Sequence, residues 1–189
     1  MRVIAGTAKG RRLRAVRGTA TRPTADRVKE ALFSMLESRF ALDGAMLLDL
    51  FAGTGGLGLE GASRGARGLV FVEHDRAAQR VLQQNVAACG FSARSTILPV
   101  PVARALRDLG ARARQFDGVL MDPPYGTGLV GATLQGLTEQ GLVATGGWVA
   151  VEHHVDDGLA ERVGDLQLTA ARRYGKTALA LYSKVQAAV

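Results

Sequence analysis

The stretch Leu47-Leu48-Asp49-Leu50-Phe51-Ala52-Gly53-Thr54-Gly55-Gly56-Leu57-Gly58 decides how this chain folds. It opens inside an apolar run, Met46–Phe51, that only Asp49 interrupts, the pattern of a parallel strand buried on both faces. It closes on Gly53-x-Gly55-x-x-Gly58, a spacing that turns the backbone tightly and lets a ligand approach it before a helix begins, here over Leu57–Arg64. Glu73 stands 20 residues beyond Gly53, at the end of the next apolar run, Gly68–Val72. Strand, glycine turn, helix and strand-end acid in that order predict a site for an adenosine-containing cofactor, with the acid accepting hydrogen bonds from ribose hydroxyls.

Further along, the same alternation repeats. A helix over Arg76–Ala88 with Val81, Leu82 and Val86 inward precedes a strand over Ser95–Val100. A helix over Val102–Ala113, a strand over Phe116–Met121 ending on Asp122, a helix over Leu129–Gln140 and a strand over Gly147–Val151 follow. Leu166–Arg173 and Ala178–Lys184 read as a closing antiparallel pair. Repeated βα units predict an α/β fold, a parallel sheet with helices on both faces and its ligands at the carboxyl ends of the strands.

Upstream, Arg2–Ala5 and Arg12–Val16 flank Gly6-Thr7-Ala8-Lys9-Gly10 and read as a β-hairpin. A helix follows Arg22-Pro23-Thr24, with Thr24 as N-cap and Val28, Ala31, Leu32, Met35 and Leu36 on one face. The chain thus divides into a basic N-terminal extension, residues 1–22, and a catalytic domain, residues 23–189.

The 189 residues are 47% hydrophobic, which excludes a disordered chain. There is no apolar run of membrane-spanning length and no signal-peptide core near Met1, so a cytoplasmic protein without a membrane partner is expected. Cys89, the single cysteine, excludes a disulfide framework and a cysteine metal cluster. The net charge is +7, and all of it lies in residues 1–30, where nine basic residues meet two acids. A patch segregated in this way is the footprint of a polyanion binder. Arg11, Arg12, Arg14 and Arg22 are the candidate phosphate ligands, because a planar guanidinium pairs with phosphate and stacks on unpaired bases. Strand alternation would put Arg12 and Arg14 on one face and Arg11 with Leu13 on the other.

Asp49 separates two classes of cofactor. A buried carboxylate beside the glycine turn would repel the pyrophosphate of a dinucleotide. It favours S-adenosylmethionine, which brings a sulfonium and an ammonium to the same loop. A second role, capping the amides of the turn, is compatible with the first.

Asp122-Pro123-Pro124-Tyr125 carries the chemistry. Two prolines directly after a buried strand fix an extended turn that cannot join a sheet ladder. The Asp122 carboxylate and the Pro123 carbonyl then offer two acceptors to one amine, and Tyr125 offers a ring face to a base. An exocyclic base amine is a poor nucleophile because its lone pair is delocalised. Binding both of its hydrogens to acceptors localises the lone pair, so placement and electrostatics suffice for methyl transfer.

Asp49-Leu50-Phe51-Ala52-Gly53-Thr54-Gly55 resembles the first motif of class I S-adenosylmethionine-dependent methyltransferases, and Asp122-Pro123-Pro124-Tyr125 resembles their amino-methylating motif. The opening Arg2-Val3-Ile4-Ala5-Gly6 with Gly10-Arg11-Arg12-Leu13, then Arg22-Pro23-Thr24 with Arg27, Glu30, Leu32 and Phe33, resemble the RsmD-type 16S rRNA guanine-N2 methyltransferases. So do Gly56-Leu57-Gly58-Leu59-Glu60 and Arg173-Tyr174-Gly175-Lys176-Thr177, in the same order along essentially the whole chain. The resemblance implies a Rossmann-like seven-stranded sheet with an N-terminal hairpin that grips RNA. It implies methyl transfer to the 2-amino group of a guanine in 16S rRNA, within a small ribosomal subunit or an assembly intermediate, by a monomer without a metal. Cofactor contacts then fall to Asp49, Phe51, Gly53, Gly55 and Glu73, and base contacts to Asp122, Pro123, Pro124 and Tyr125. Leu98-Pro99-Val100-Pro101-Val102 lacks the polar residue the family usually has near the adenine, which leaves backbone groups and apolar packing for that contact.

His153 and His154 read as exposed loop residues, Cys89 as a small buried apolar residue and Trp148 as core. Arg172 and Arg173 read as a strand edge within reach of RNA. The rival functions are a DNA adenine-N6 or cytosine-N4 methyltransferase, an NAD-dependent oxidoreductase and a non-enzymatic RNA-binding protein. The first needs room for a target-recognition domain. The second leaves Asp122–Tyr125 idle, and the third leaves the glycine loop idle.

Overall fold

Three parallel strands carry the first half of the chain in a computed structural model that describes residues 1–16 and 24–185. By compactness the chain divides into two units, Met1–Val100 and Pro101–Val189. In the first, α1 (Thr24–Glu37) precedes β1 (Met46–Leu50), α2 (Gly58–Ser63), β2 (Gly68–Val72), α3 (Arg76–Ala88) and β3 (Ser95–Leu98). β2 lies between its neighbours, with Asp49 beside Phe71 in β1 and Phe71 beside Ile97 in β3. Leu47, Leu48, Leu50, Leu69, Phe71 and Val72 are essentially inaccessible to solvent, as continuous apolar strands under helices must be. α3 starts on Asp75, whose side chain accepts from the Ala78 amide at 2.8 Å. Its buried face is Ala78, Leu82, Asn85 and Val86. Val81, expected inward, is half-buried.

In the second unit, α4 (Val102–Gly110), β4 (Phe116–Met121), α5 (Leu129–Glu139), β5 (Val143–His154), β6 (Arg162–Val163), β7 (Leu166–Tyr174) and β8 (Thr177–Lys184) follow in chain order. Their strands run β4-β5-β8-β7-β6, with β4 and β5 parallel and the rest antiparallel. The closing antiparallel pair is therefore present, inserted so that β8 lies against β5. The described residues form eight strands rather than seven, the extra one being the two-residue β6.

Two readings of the sequence need correction. β5 is far longer than Gly147–Val151, because its ladder with β8 continues through Glu152, His153 and His154. It also resumes on the near side of an irregularity, where Phe116 faces Val143 and Gly118 already faces Trp148. His153 is consequently a strand residue only 6% exposed, not a loop residue. Its Nδ1 donates to the His154 carbonyl at 2.7 Å, and burial pushes its pKa down. Trp148 is core, as expected, at 2% exposure.

The N-terminal hairpin is present in short form: Arg2 and Arg12 form an antiparallel bridge, and Val3, Gly10 and Leu13 add backbone bonds to Arg11, Val3 and Met1. The amides between are taken by α2. Ile4 and Ala5 donate to the Glu60 carboxylate at 2.8 and 3.0 Å, Thr7 to the Ser63 carbonyl at 2.8 Å and Ala8 to Ser63 Oγ at 2.9 Å. Gly6 has φ +79°, and a Cβ there would lie 1.8 Å from the Ser63 carbonyl oxygen, so this docking requires glycine. Lys29, one of the nine basic residues among the first thirty, is also withdrawn from the surface. It is buried, 3.3 Å from Glu60, and donates to the Arg2 carbonyl at 2.6 Å. Burial drives its pKa down against the pull of Glu60.

Candidate active site

The candidate residues fall into two groups, one in each unit. In the first, β1 ends at Leu50 and Phe51 turns the chain with φ +60°, an uncommon conformation for a side chain of its size. Phe51 is half-buried. Gly53 and Gly55 continue the turn at φ +54° and +89°. A Cβ on Gly53 would meet nothing within 4 Å, so the loop backbone is open to a ligand at that point.

Glu73 closes this loop. Its Oε2 accepts from the Gly53 amide at 2.7 Å and its Oε1 from the Asp75 amide at 2.7 Å. The end of β2 is thus bonded to the loop after β1 and to the start of α3, and the Glu73 amide is bonded to the Leu98 carbonyl of β3. Each oxygen keeps acceptor capacity for a ribose hydroxyl. Asp49, 1% exposed, accepts from the Gly58 amide at 2.8 Å. The capping role is real. Desolvation raises its pKa to about 7, opposed by the Gly58 bond and reinforced by the charge of Glu73.

Among the described residues neither carboxylate has a Lys or Arg partner, and the one ring nitrogen near Glu73, on exposed His74, is 3.6 Å away. A buried anionic pair without a cation fits a cationic ligand and repels a pyrophosphate. Asn85 is a member of this group that the sequence pattern alone does not single out. Its amide nitrogen donates to the Thr54 carbonyl at 2.9 Å and the Arg14 carbonyl at 3.0 Å, and its oxygen accepts from the Arg14 amide at 2.8 Å. One buried side chain therefore ties the glycine loop to the N-terminal arm. A polar residue on the inward stripe of an amphipathic helix was the available signal.

Arg11, Arg12 and Arg14 are exposed while Leu13 is buried. Arg14 Nη1 donates to Gln84 Oε1 at 2.9 Å. Arg22 lies outside the described residues.

In the second unit, Asp122 follows β4 directly and is exposed, Pro123 is buried, and Pro124 and Tyr125 are exposed. Tyr125 is held firmly. Its hydroxyl donates to Glu152 Oε1 at 3.1 Å and lies 3.3 Å from Thr177 Oγ1, and its ring centroid is 5.7 Å from that of His154. Its pKa is pushed up to about 12, first by burial and then by the Glu152 and Asp122 charges, with Thr177 opposing. The phenol is therefore neutral, and the ring is a fixed platform with one face toward solvent. Glu152, Thr177 and His154 are site neighbours that the sequence reading does not assign; an acid closing an apolar strand at 152 and the Arg173–Thr177 motif were the available signals. Cys89 is half-buried at the end of α3, and Arg172 and Arg173 are exposed on β7. Among the described residues no three His, Cys, Asp or Glu side chains gather as metal ligands.

The profile of the family described as Conserved hypothetical protein 95 matches residues 1–183. YlbH of Bacillus subtilis (strain 168) is 40% identical over 184 residues, 97% of this chain and 99% of that protein. Ribosomal RNA small subunit methyltransferase D of Escherichia coli (strain K12) is 33% identical over 184 residues, 97% of this chain and 90% of that one. The solved structure of the methyltransferase yhhF from Escherichia coli superposes with a TM-score of 0.85 at 33% identity, covering 98% of each chain. A match across nearly the full length shows that this chain belongs to the Conserved hypothetical protein 95 family, the RsmD-type methyltransferases.

Proposed function

We propose that this protein transfers a methyl group from S-adenosylmethionine to the 2-amino group of a guanine in 16S rRNA. The observation that carries the reading is the Asp122-Pro123-Pro124-Tyr125 turn, with Tyr125 locked by Glu152 and Thr177, in a chain colinear with a small-subunit rRNA methyltransferase. The cationic cofactor suits the Asp49 and Glu73 carboxylates, which have no Lys or Arg partner among the described residues, and the open backbone at Gly53.

Glu73 and the Gly53–Gly55 backbone orient the ribose, and Asp49 balances positive charge. When bound, the cofactor supplies an electrophilic methyl on a sulfonium. Tyr125 presents its ring to the guanine. The Asp122 carboxylate and the Pro123 carbonyl accept the two hydrogens of the 2-amino group, so the nitrogen lone pair is localised and directed outward. The Asp122 carboxylate would stabilise the positive charge that develops on the amine nitrogen as it takes up the methyl group. One amine proton then leaves along Asp122, which is exposed, to water.

Arg11, Arg12, Arg14 and Arg22 contact phosphates, and the N-terminal arm, residues 1–22, serves as the RNA-gripping part of the chain. The substrate is the RNA within a small subunit or an assembly intermediate, the enzyme acts as a monomer, and the ribosomal substrate puts it in the cytoplasm. No helix among the described residues is long and apolar enough to cross a membrane. Titration with S-adenosylmethionine and with NAD, followed by assay on small-subunit RNA, tests the reading: binding of the former and methyl transfer are expected. Binding of NAD alone, or cofactor binding without transfer to that RNA, would overturn it.

A further inference from the structure

Glu152 follows Val151, the register partner of Met121, as Asp122 follows Met121. The two residues therefore each follow a paired position at the ends of neighbouring parallel strands, whose backbones lie about 4.8 Å apart. Both act on the Tyr125 phenol. Glu152 is half-buried, its Oε1 accepts the Tyr125 hydroxyl, and its Oε2 has no hydrogen bond among the described residues. No Lys or Arg there pairs with it. Oε2 is therefore an acceptor held in place through Oε1 and open to a donor brought by the substrate.

The edge of guanine carries such a donor. Next to the 2-amino group stands N1–H, a second donor. Adenine and cytosine instead place a ring-nitrogen lone pair beside their exocyclic amine. With Asp122 and the Pro123 carbonyl engaged by the amine, the neighbouring acceptor meets the ring nitrogen. We propose that Glu152 is the residue that selects guanine: Oε2 accepts N1–H while Oε1 stays on Tyr125. This inference rests on the guanine-N2 reading above. Adenine and cytosine are rejected because their lone pairs would face a carboxylate, and a site built around a hydrogen bond rejects partners lacking it far more strongly than an apolar pocket does.

The test uses small-subunit RNA carrying either guanine or 2-aminopurine at the target position. 2-Aminopurine keeps the 2-amino group but has a lone pair at N1. The wild-type protein is expected to favour guanine in kcat/KM by at least about 10²-fold. In Glu152→Gln the side-chain carbonyl stays on Tyr125 and the amide NH₂ turns to the base, where it donates to N1 of 2-aminopurine. The guanine preference should fall by on the order of 10–100-fold, through loss on guanine and gain on 2-aminopurine. Tyr125→Phe keeps the ring and the carboxylate, so it should retain the guanine preference whatever its rate.

Equal losses on both substrates in Glu152→Gln would make Glu152 only a support for Tyr125 and overturn the inference. A wild-type protein that uses both bases equally would overturn it without any variant, which covers the case of a variant that does not fold. If the wild-type protein forms no N2-methylguanosine at all, the guanine reading itself fails.

Discussion

Glu73 Oε2 accepts a hydrogen bond from the Gly53 amide at 2.7 Å. Two residues linked in the sequence only by their spacing are in direct contact, and the strand-end acid shapes the loop it was expected to complement. Its second oxygen, on the Asp75 amide, extends the same control to the start of α3.

Glu73→Ala should therefore do two things. Loss of a hydrogen bond to a charged group weakens S-adenosylmethionine binding by about 1.5–3 kcal/mol. The Gly53 and Asp75 amides lose their acceptor as well, so the melting temperature should drop. Unchanged affinity in calorimetry would remove Glu73 from the cofactor site.

Asp122 is expected to act on the transition state. Asp122→Ala should lower kcat by on the order of 10²-fold or more, the scale for losing one preorganised electrostatic partner, and leave cofactor affinity nearly unchanged. Near-normal turnover on the RNA substrate would refute the mechanism.

Asp49 makes cofactor binding depend on pH. Its pKa, raised to about 7 by burial, means that the free protein holds this proton below neutrality. For the free protein, the favourable contribution is full below the ordinary carboxylate range and is lost as pH rises through about 7. A bound cation favours the carboxylate, so binding expels the proton. Affinity should rise with pH below 7, by up to about tenfold per unit, and level off above it. Asp49→Asn should abolish the slope. A flat profile in the wild-type protein would mean that Asp49 does not sense the cofactor charge.

The basic arm is tested by salt. Removing one arginine–phosphate pairing lowers the slope of log K against log salt by about 0.7–0.9. Arg12→Ala with Arg14→Ala should weaken RNA binding and flatten that slope by roughly 1.5, with cofactor affinity intact. Wild-type affinity and slope would return the arm to an ordinary solvated surface.

Glu60 is the buried acid that holds the arm in place, accepting from Ile4, Ala5 and Arg64 and paired with Lys29. Glu60→Ala leaves buried Lys29 without its carboxylate, while Arg64 keeps Glu37, and should destabilise the fold by about 3–5 kcal/mol. A chemical denaturation midpoint equal to that of wild type would show that the arm is held otherwise.

The fold and the cofactor loop were largely legible in the sequence because their causes are local. Runs such as Gly68–Val72 and Phe116–Met121 are continuous apolar strands, and α3 begins and ends where its cap and its periodicity put it. What escaped was what depends on partners far along the chain. The docking of the arm is one case, because alternation cannot reveal that Glu60 and Ser63, some fifty-five residues away, take its amides. His153 looked exposed because only pairing with Ala178 in β8 makes its position a buried one. Lys29 counted as surface charge until its partner, on another helix, was known. Glu152 was invisible as a site residue for the same reason: its significance comes from Tyr125, 27 positions earlier.

The most direct measurement is the identity of the product. The protein is incubated with methyl-labelled S-adenosylmethionine and with small ribosomal subunits or their RNA lacking the modification, and the RNA is digested to nucleosides and separated. The account predicts label in N2-methylguanosine at a single position of 16S rRNA. Label in N6-methyladenosine or N4-methylcytosine, or none in RNA, would contradict it.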